Sequence, residues 1–142
     1  MTSVVNKYFD NLKTTMEKQD FANNPHLIYN IDEKGLTVDH KPPNIVASDT
    51  YCPHAVTSGK GKTVTVIGAV SASGSNVPPF FIFPGKRMNP ELLKGKSPGA
   101  DAAMSESGWS NSSVFREYLT SHFLKHVPGR NGEKVLILLD GH

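Results

Sequence analysis

The chain has 142 residues, of which 37% are hydrophobic and 20% are charged, so it is long enough for one globular core but not for two. Its single cysteine excludes an internal disulfide and a cysteine-rich zinc site, and its net charge of +2 is too small to indicate nucleic-acid binding by itself. No apolar run approaches the roughly 18 residues that span a bilayer, and no signal peptide is apparent, so we expect an intracellular protein without a membrane partner.

An amphipathic helix is predicted from residue 4 to residue 19, because apolar residues recur there at helical spacing. They should form one buried stripe, made of Val4, Val5, Tyr8, Phe9, Leu12 and Met16. Residues 27–32 follow as a short run rich in β-branched and aromatic side chains, which predicts a buried strand whose last residue is Asp32.

The middle of the chain predicts a hairpin between two loops. Residues 37–61 are mostly loop, with short extended pieces near Val38 and Val46. Residues 62–70 form a strong strand, and residues 73–76 turn the chain toward a second strand at residues 80–83. Residues 84–108 lack periodicity and predict a long surface loop.

A second helix is predicted to begin at a cap on Ser110 or Asn111 and to end at residues 128–129. One face of it carries Val114, Phe115, Tyr118, Leu119, His122, Phe123 and His126. The unalternating apolar run at residues 135–139 then predicts a strand buried on both faces, which leads into Asp140. The fold class is therefore α/β, a mixed sheet with helical cover.

Two of these strands end in an aspartate, Asp32 and Asp140. A carboxylate at the end of a buried strand is costly unless it meets a metal or a partner, and this edge of a sheet is where ligands bind. If the strands are parallel neighbours, the two carboxylates converge. The alternative is structural: Asp32 caps a turn with Glu33 and Gly35, and Asp140 begins an ordinary turn.

Four segments of the chain, in this order, resemble the DDE transposases of the pogo, Tigger and jerky group. They are residues 28–35 (IYNIDEKG), residues 64–74 with 78–86, the Gly108-Trp109 pair with the helix to residue 126, and residues 136–142 (LILLDGH). None of these motifs is specific alone, but the four in sequence are.

The resemblance implies a ribonuclease H-like fold with Asp32 on its first strand and Asp140 on its fourth, beside the first. Both would be catalytic metal ligands that hold two Mg²⁺ or Mn²⁺ ions for cleavage and strand transfer on DNA. Hard Mg²⁺ prefers carboxylate oxygens, and an ion pair can serve both the attacking and the leaving oxygen. Glu33 should face away from Asp32, since strand residues alternate, and is expected to be structural.

The same resemblance divides the chain into a linker helix at residues 1–24 and a partial catalytic domain at residues 25–142. The family's third carboxylate, on a helix after the fourth strand, and its upstream helix-turn-helix are absent, so we expect a chain truncated at its C-terminus and inactive as it stands. Nuclear localisation and a homo-oligomer of the intact protein are also implied. The rival hypothesis is a domesticated or decayed remnant that only binds DNA or protein.

Several basic residues lie in Gly/Pro-rich loops, where they could follow a DNA backbone; solvated surface is the alternative. These are Lys60, Lys62, Lys86, Arg87, Lys94 and Lys96, and His142 is a possible accessory residue beside Asp140. Residues 61–63 resemble the end of a phosphate-binding P-loop, but position 56, where that motif needs glycine, holds valine. Cys52 and His54 with His40 match no common zinc spacing.

Overall fold

The computed structural model describes residues 2–37, 62–127 and 131–140. Its first helix, α1, spans Thr2–Lys18, which confirms the predicted helix. The predicted buried stripe is wrong over its first half, where Val4, Val5, Tyr8 and Phe9 are each at least half exposed. Helical spacing shows which side of a helix is apolar, but it does not show whether another element covers that side. The function of residues 1–24 as a linker stays a prediction.

Five strands form one mixed sheet in the order β4-β3-β2-β1-β5. The pairs β1–β2 and β2–β3 are antiparallel, whereas β3–β4 and β1–β5 are parallel. The strands are β1 (Ile28–Thr37), β2 (Thr63–Ser71), β3 (Asn76–Pro84), β4 (Asp101–Ser105) and β5 (Leu136–Leu138). The first and last predicted strands are therefore parallel neighbours, and the hairpin β2–β3 extends the sheet on the far side of β1, as predicted.

Two strand predictions need correction. Asp32 is not the last residue of its strand, because β1 runs on to Thr37 with β2 paired along it. The predicted surface loop at residues 84–108 contains β4, so the sheet has one more strand than expected between the hairpin and the helix. The short extended pieces predicted near residues 38 and 46 lie outside the described residues.

The hairpin is confirmed, although β3 begins before its predicted start and includes Pro78 and Pro79. The ladder with β2 shifts here, since Ile67 pairs with Phe80 and Ala69 pairs with Val77. Two residues of β3 thus lie opposite Gly68, as in a β-bulge, where the missing N–H groups of proline cost least. The Pro78 carbonyl accepts a hydrogen bond of 2.7 Å from Nε2 of buried His122.

One continuous helical stretch, which we call the covering helix, runs over residues 112–126. It consists of α2 (Ser112–Glu117), a π-helical segment (Tyr118–Phe123) and α3 (Leu124–His126). Of the two predicted caps, Asn111 is the one used: its Oδ1 accepts hydrogen bonds of 3.0 Å from the backbone N–H groups of Ser113 and Val114. These bonds satisfy two of the donors that a helix leaves unpaired at its start.

The core lies between the covering helix and one face of the sheet. It consists of Tyr29, Ile31, Ile67, Ala69, Val77, Phe80, Ile82, Ala103, Val114, Tyr118, Phe123 and Val127. The predicted burial of the last strand on both faces is wrong, because β5 is the outermost strand of the described sheet and its three residues are half-buried. In the described parts of the chain, no helix is long and apolar enough to cross a membrane.

Candidate active site

The pairing of β1 with β5 determines where the two aspartates lie. Asn30 pairs with Leu138 as the last pair of this parallel ladder, and Asp32 and Asp140 each lie two residues further along the chain. Residues in register on parallel strands point to the same face of a sheet, and neighbouring strands are about 4.8 Å apart. The amide Nδ2 of Asn30 also donates a hydrogen bond of 3.4 Å to the Leu138 carbonyl and so ties the end of β5 to β1.

A cavity of about 550 Å³ lies where β1 continues beyond the end of β5. Both Asp32 and Asp140 line this cavity, so the structure places the two predicted metal ligands in one site. The remaining lining residues come from β1, β2, the start of the covering helix with the segment before it, and the residue after β5: Ile31, Glu33, Gly35, Thr65, Trp109, Ser110, Asn111, Ser112, Phe115 and Leu139.

The cavity reaches around the edge of β1. Tyr29 and Ile31 are buried whereas Asn30 and Asp32 are exposed, so successive side chains alternate between the core face and the opposite face. This alternation places Glu33 on the face opposite to Asp32, as predicted. Glu33 nevertheless lines the same cavity, because no described strand covers this side of β1 after its last pairing with β5.

The carboxylates of the site are available for a ligand. Asp32 and Asp140 are exposed, and neither forms an ion pair within the described ranges. Oδ1 of Asp32 accepts a hydrogen bond of 2.8 Å from the backbone N–H of Glu33, which fixes the carboxylate beside its own strand. This pair of oxygen donors fits a hard divalent cation.

The described residues supply only part of a metal site. Three acidic residues line the cavity, yet no three His, Cys, Asp or Glu side chains within the described ranges are grouped so that they could hold a metal ion. Asp32 and Asp140 are thus a pair of possible ligands, and a complete ligand set is not formed by the parts of the chain that the structure describes.

An aromatic side chain, that of Trp109, lines the same cavity as the two aspartates. Trp109 lies against Gly35 of β1, since a Cβ added to Gly35 would be 3.0 and 3.1 Å from two carbons of the indole six-membered ring. Its backbone is fixed from two sides: the Ser105 hydroxyl donates to the Trp109 carbonyl at 2.7 Å, and the buried Thr65 hydroxyl donates to the Gly108 carbonyl at 2.8 Å. The Trp109 side chain is still 54% exposed.

Neither Trp109 nor Gly35 was predicted as a site residue. The signals that could have identified them are a glycine inside a strand, which often marks close approach of another group, and the chain's single tryptophan just before a helix cap. Neither signal identifies the other residue, because Gly35 and Trp109 are 74 positions apart in the sequence.

None of the predicted DNA-contacting residues that the structure describes lines the cavity. Lys62, Arg87 and Lys96 are exposed, whereas the ammonium groups of two others lie near carboxylates: Lys86 is 3.3 Å from Glu106, and Lys94 pairs with Glu91. Lys60 and His142 lie outside the described residues, as do Cys52, His54 and His40. Lys62 directly precedes a strand, which agrees with the rejection of a P-loop.

Comparison with known proteins gives a family match over the larger part of the chain. The model of the family described as "DDE superfamily endonuclease" matches residues 60–142, which includes β2 to β5 and Asp140 but not Asp32. The chain is also 27% identical over 120 residues to the "MFS-type transporter clz9" of Cochliobolus lunatus. This alignment covers 81% of the chain but only 13% of that protein. No solved structure matches the chain.

Proposed function

The chain belongs to the DDE superfamily endonucleases, and on this premise we propose that it is a transposase-derived nuclease domain whose metal ligands include Asp32 and Asp140. The observation that carries the proposal is that both aspartates line one cavity, which lies where β1 continues beyond the end of its parallel neighbour β5. The finer assignment, to the pogo, Tigger and jerky group with a ribonuclease H-like fold, rests on the order of motifs and on the placement of β5 beside β1. Nuclear localisation belongs to the same proposal.

The proposed reaction is cleavage and strand transfer at a phosphodiester of DNA. Bound Mg²⁺ or Mn²⁺ would activate a water molecule or the 3′-hydroxyl of a DNA strand as the nucleophile and would neutralise charge on the leaving oxygen. The part of the protein is to hold oxygen donors in fixed positions: Asp32 through its hydrogen bond to the Glu33 N–H, and Asp140 through the pairing of β5 with β1. We assign the third carboxylate of the site to a helix that follows Asp140 in the intact protein.

DNA is the proposed partner, with phosphate contacts from exposed cations of the loops. Lys62 precedes β2 and Arg87 follows β3. Because the two strands are antiparallel neighbours, both residues lie beyond the same, open end of the hairpin. Lys86 and Lys94 are weaker candidates, since each already pairs with a glutamate. These contacts and a homo-oligomer of the intact protein are further parts of the proposal.

A second candidate function is non-catalytic binding of DNA or protein. It is favoured by one specific observation: the described residues bring two aspartates together but form no group of three metal ligands. In that case the protein would bind a partner without cleaving a phosphodiester.

The test is a calorimetric titration of Mn²⁺ into the protein and into the variants Asp32→Asn and Asp140→Asn. We expect weak Mn²⁺ binding that either substitution abolishes or lowers at least tenfold. Asp101→Asn is the matched control, because Asp101 is also an exposed strand residue whose Oδ1 accepts the next backbone N–H, at 2.9 Å, and it does not line the cavity. Equal affinity in all four proteins would remove Asp32 and Asp140 as ligands.

A cleavage assay separates the two candidate functions. We expect no cleavage of plasmid DNA by the 142-residue protein with Mn²⁺, because two carboxylates leave the second ion loosely held. An extended protein that carries the next acidic helix should cleave, and its Asp32→Asn variant should not. Failure of the extended protein to cleave, with Mn²⁺ bound, favours the binding module.

A further inference from the structure

The half-exposed indole of Trp109 has no role in the metal chemistry proposed above. It is held in place all the same: the carbonyls of Gly108 and Trp109 accept hydrogen bonds from Thr65 and Ser105, and its ring lies 3.0 Å from the position that a Cβ at Gly35 would take. A large aromatic surface that is fixed at its base and open to solvent is suited to contact a planar ligand with little loss of conformational entropy.

The side chains around Trp109 indicate which kind of ligand could bind beside it. The cavity that it lines has an apolar wall, with Phe115 of the covering helix, and an acidic wall, with Asp32 and Asp140. Among the lining residues that the structure describes, none is a lysine or an arginine. A phosphate group alone would therefore meet no cation from the described lining, whereas a planar, uncharged ring would find the apolar surface.

We propose that Trp109 is a stacking site for an unpaired nucleobase of the DNA strand whose phosphodiester lies at Asp32 and Asp140. The inference rests on the proposed nuclease function for the identity of the polymer. Base–aromatic stacking tolerates any sequence, since every base has a π-face. The base must be unpaired, in a single strand or turned out of the duplex, because the faces of paired bases are covered by their neighbours in the stack.

The glycine beneath the ring supports this assignment. Gly35 lies within β1, where glycine weakens a strand, and the indole occupies the space that a side chain would take. Any larger residue there would push the indole ring away from the strand. A glycine at this position thus lets Trp109 lie close to β1 and leaves the rest of the cavity free for a base.

Trp109 is the chain's single tryptophan, so its fluorescence reports on this site alone. We would titrate the protein with a single-stranded oligothymidylate and with an abasic strand of equal length, in Mg²⁺ and again in EDTA. We expect saturable quenching by the oligothymidylate and little by the abasic strand. Equal effects of the two strands, or binding of neither, would overturn the proposal without any variant having to fold.

A second experiment compares the affinity of variants for a labelled oligothymidylate, measured by fluorescence anisotropy. Trp109→Leu should weaken binding about tenfold, and Trp109→Phe should retain most of it, because stacking needs an aromatic ring. Tyr8→Leu is the control for loss of an exposed aromatic side chain, as Tyr8 is 53% exposed on α1. Wild-type affinity of Trp109→Leu would contradict the proposal.

The two proposals fail in different measurements. Quenching by the oligothymidylate, together with equal Mn²⁺ affinity in the wild type, Asp32→Asn and Asp140→Asn, would leave the stacking site standing and remove the metal site. Mn²⁺ binding that depends on Asp32 and Asp140, together with equal oligothymidylate affinity in Trp109→Leu and wild type, would do the reverse.

Discussion

Asp32 and Asp140 lie opposite each other when the register of β1 and β5, in which Asn30 pairs with Leu138, is continued by two residues. Like charges close to each other repel, and neither aspartate has an ion-pair partner in the described part of the protein. We expect the site to be a local source of instability that a bound cation removes. Functional sites often keep such a conflict while the rest of the fold is consistent.

The first prediction follows from this repulsion. Asp32→Asn should raise the free energy of unfolding of the metal-free protein by a few tenths to about 1 kcal/mol, since the amide oxygen can still accept the Glu33 N–H while one negative charge is removed. Urea denaturation at low ionic strength measures it. The gain should shrink in high salt, which screens exposed charges. A gain of the same size in Asp101→Asn would show a general charge effect instead.

The second prediction concerns the turn that places Trp109. Gly108 has a φ of +78°, and a Cβ added there would lie 2.3 Å from the Thr63 carbonyl oxygen, a clash with backbone that no rotamer can relieve. Gly108→Ala should cost about 3 kcal/mol by thermal or urea denaturation.

The control for this turn is Gly74, which has a φ of +89° but no atom within 4 Å of an added Cβ. Gly74→Ala should cost about 1 kcal/mol, from backbone strain alone. Equal losses in the two variants would mean that the turn at Gly108 yields to the added methyl group.

The sequence predicted the parts of the fold that depend on local pattern. Two unalternating apolar runs predicted the strands β1 and β5, whose parallel pairing was implied by the resemblance to the DDE transposases. The cap at Asn111 followed from a polar residue before a helical stripe. The hairpin followed from two β-rich runs around a turn. In each case the residues that form the recognisable sequence pattern are also the residues that form the strand, the cap or the turn.

The parts that were missed depend on a partner distant in sequence. The strand β4 has two alanines among its five residues and gives no alternating pattern; its pairing with β3 makes it a strand. The exposed side of α1 has the same apolar spacing as a buried one. The contact of Trp109 with Gly35 requires both the end of β4 and the middle of β1 to be in place.

The third prediction concerns an unpaired group in the core. The hydroxyl of Tyr118 is buried and has no hydrogen-bond partner within the described residues, and burial raises the pKa of Tyr118 well above its ordinary value. Tyr118→Phe removes the unsatisfied group and keeps the ring against Phe80 and Phe123. We expect the free energy of unfolding to rise by about 1 kcal/mol, whereas Tyr8→Phe on exposed α1 should change nothing. A loss of stability in Tyr118→Phe would indicate a partner for the hydroxyl.

The last prediction is a pH dependence of stability that arises at His122. Burial of the imidazole lowers the pKa of His122 below 6.5, more than its hydrogen bond to the Pro78 carbonyl raises it; His126 and Lys125 also lower it, and Asp101 raises it. Protonation is thus easier in the unfolded chain than in the folded one. The contribution to stability is complete above pH 6.5 and is lost as the pH falls through the lowered pKa of the folded state.

Urea denaturation across the pH range from neutral to mildly acidic measures this dependence. The free energy of unfolding of the wild type should fall as the pH is lowered below about 6.5, because the unfolded state takes up a proton that the folded state resists. His122→Gln, whose amide can still donate to the Pro78 carbonyl, should lose this part of the slope while the remaining histidines keep theirs. A slope unchanged in His122→Gln would place the titrating group elsewhere in the protein.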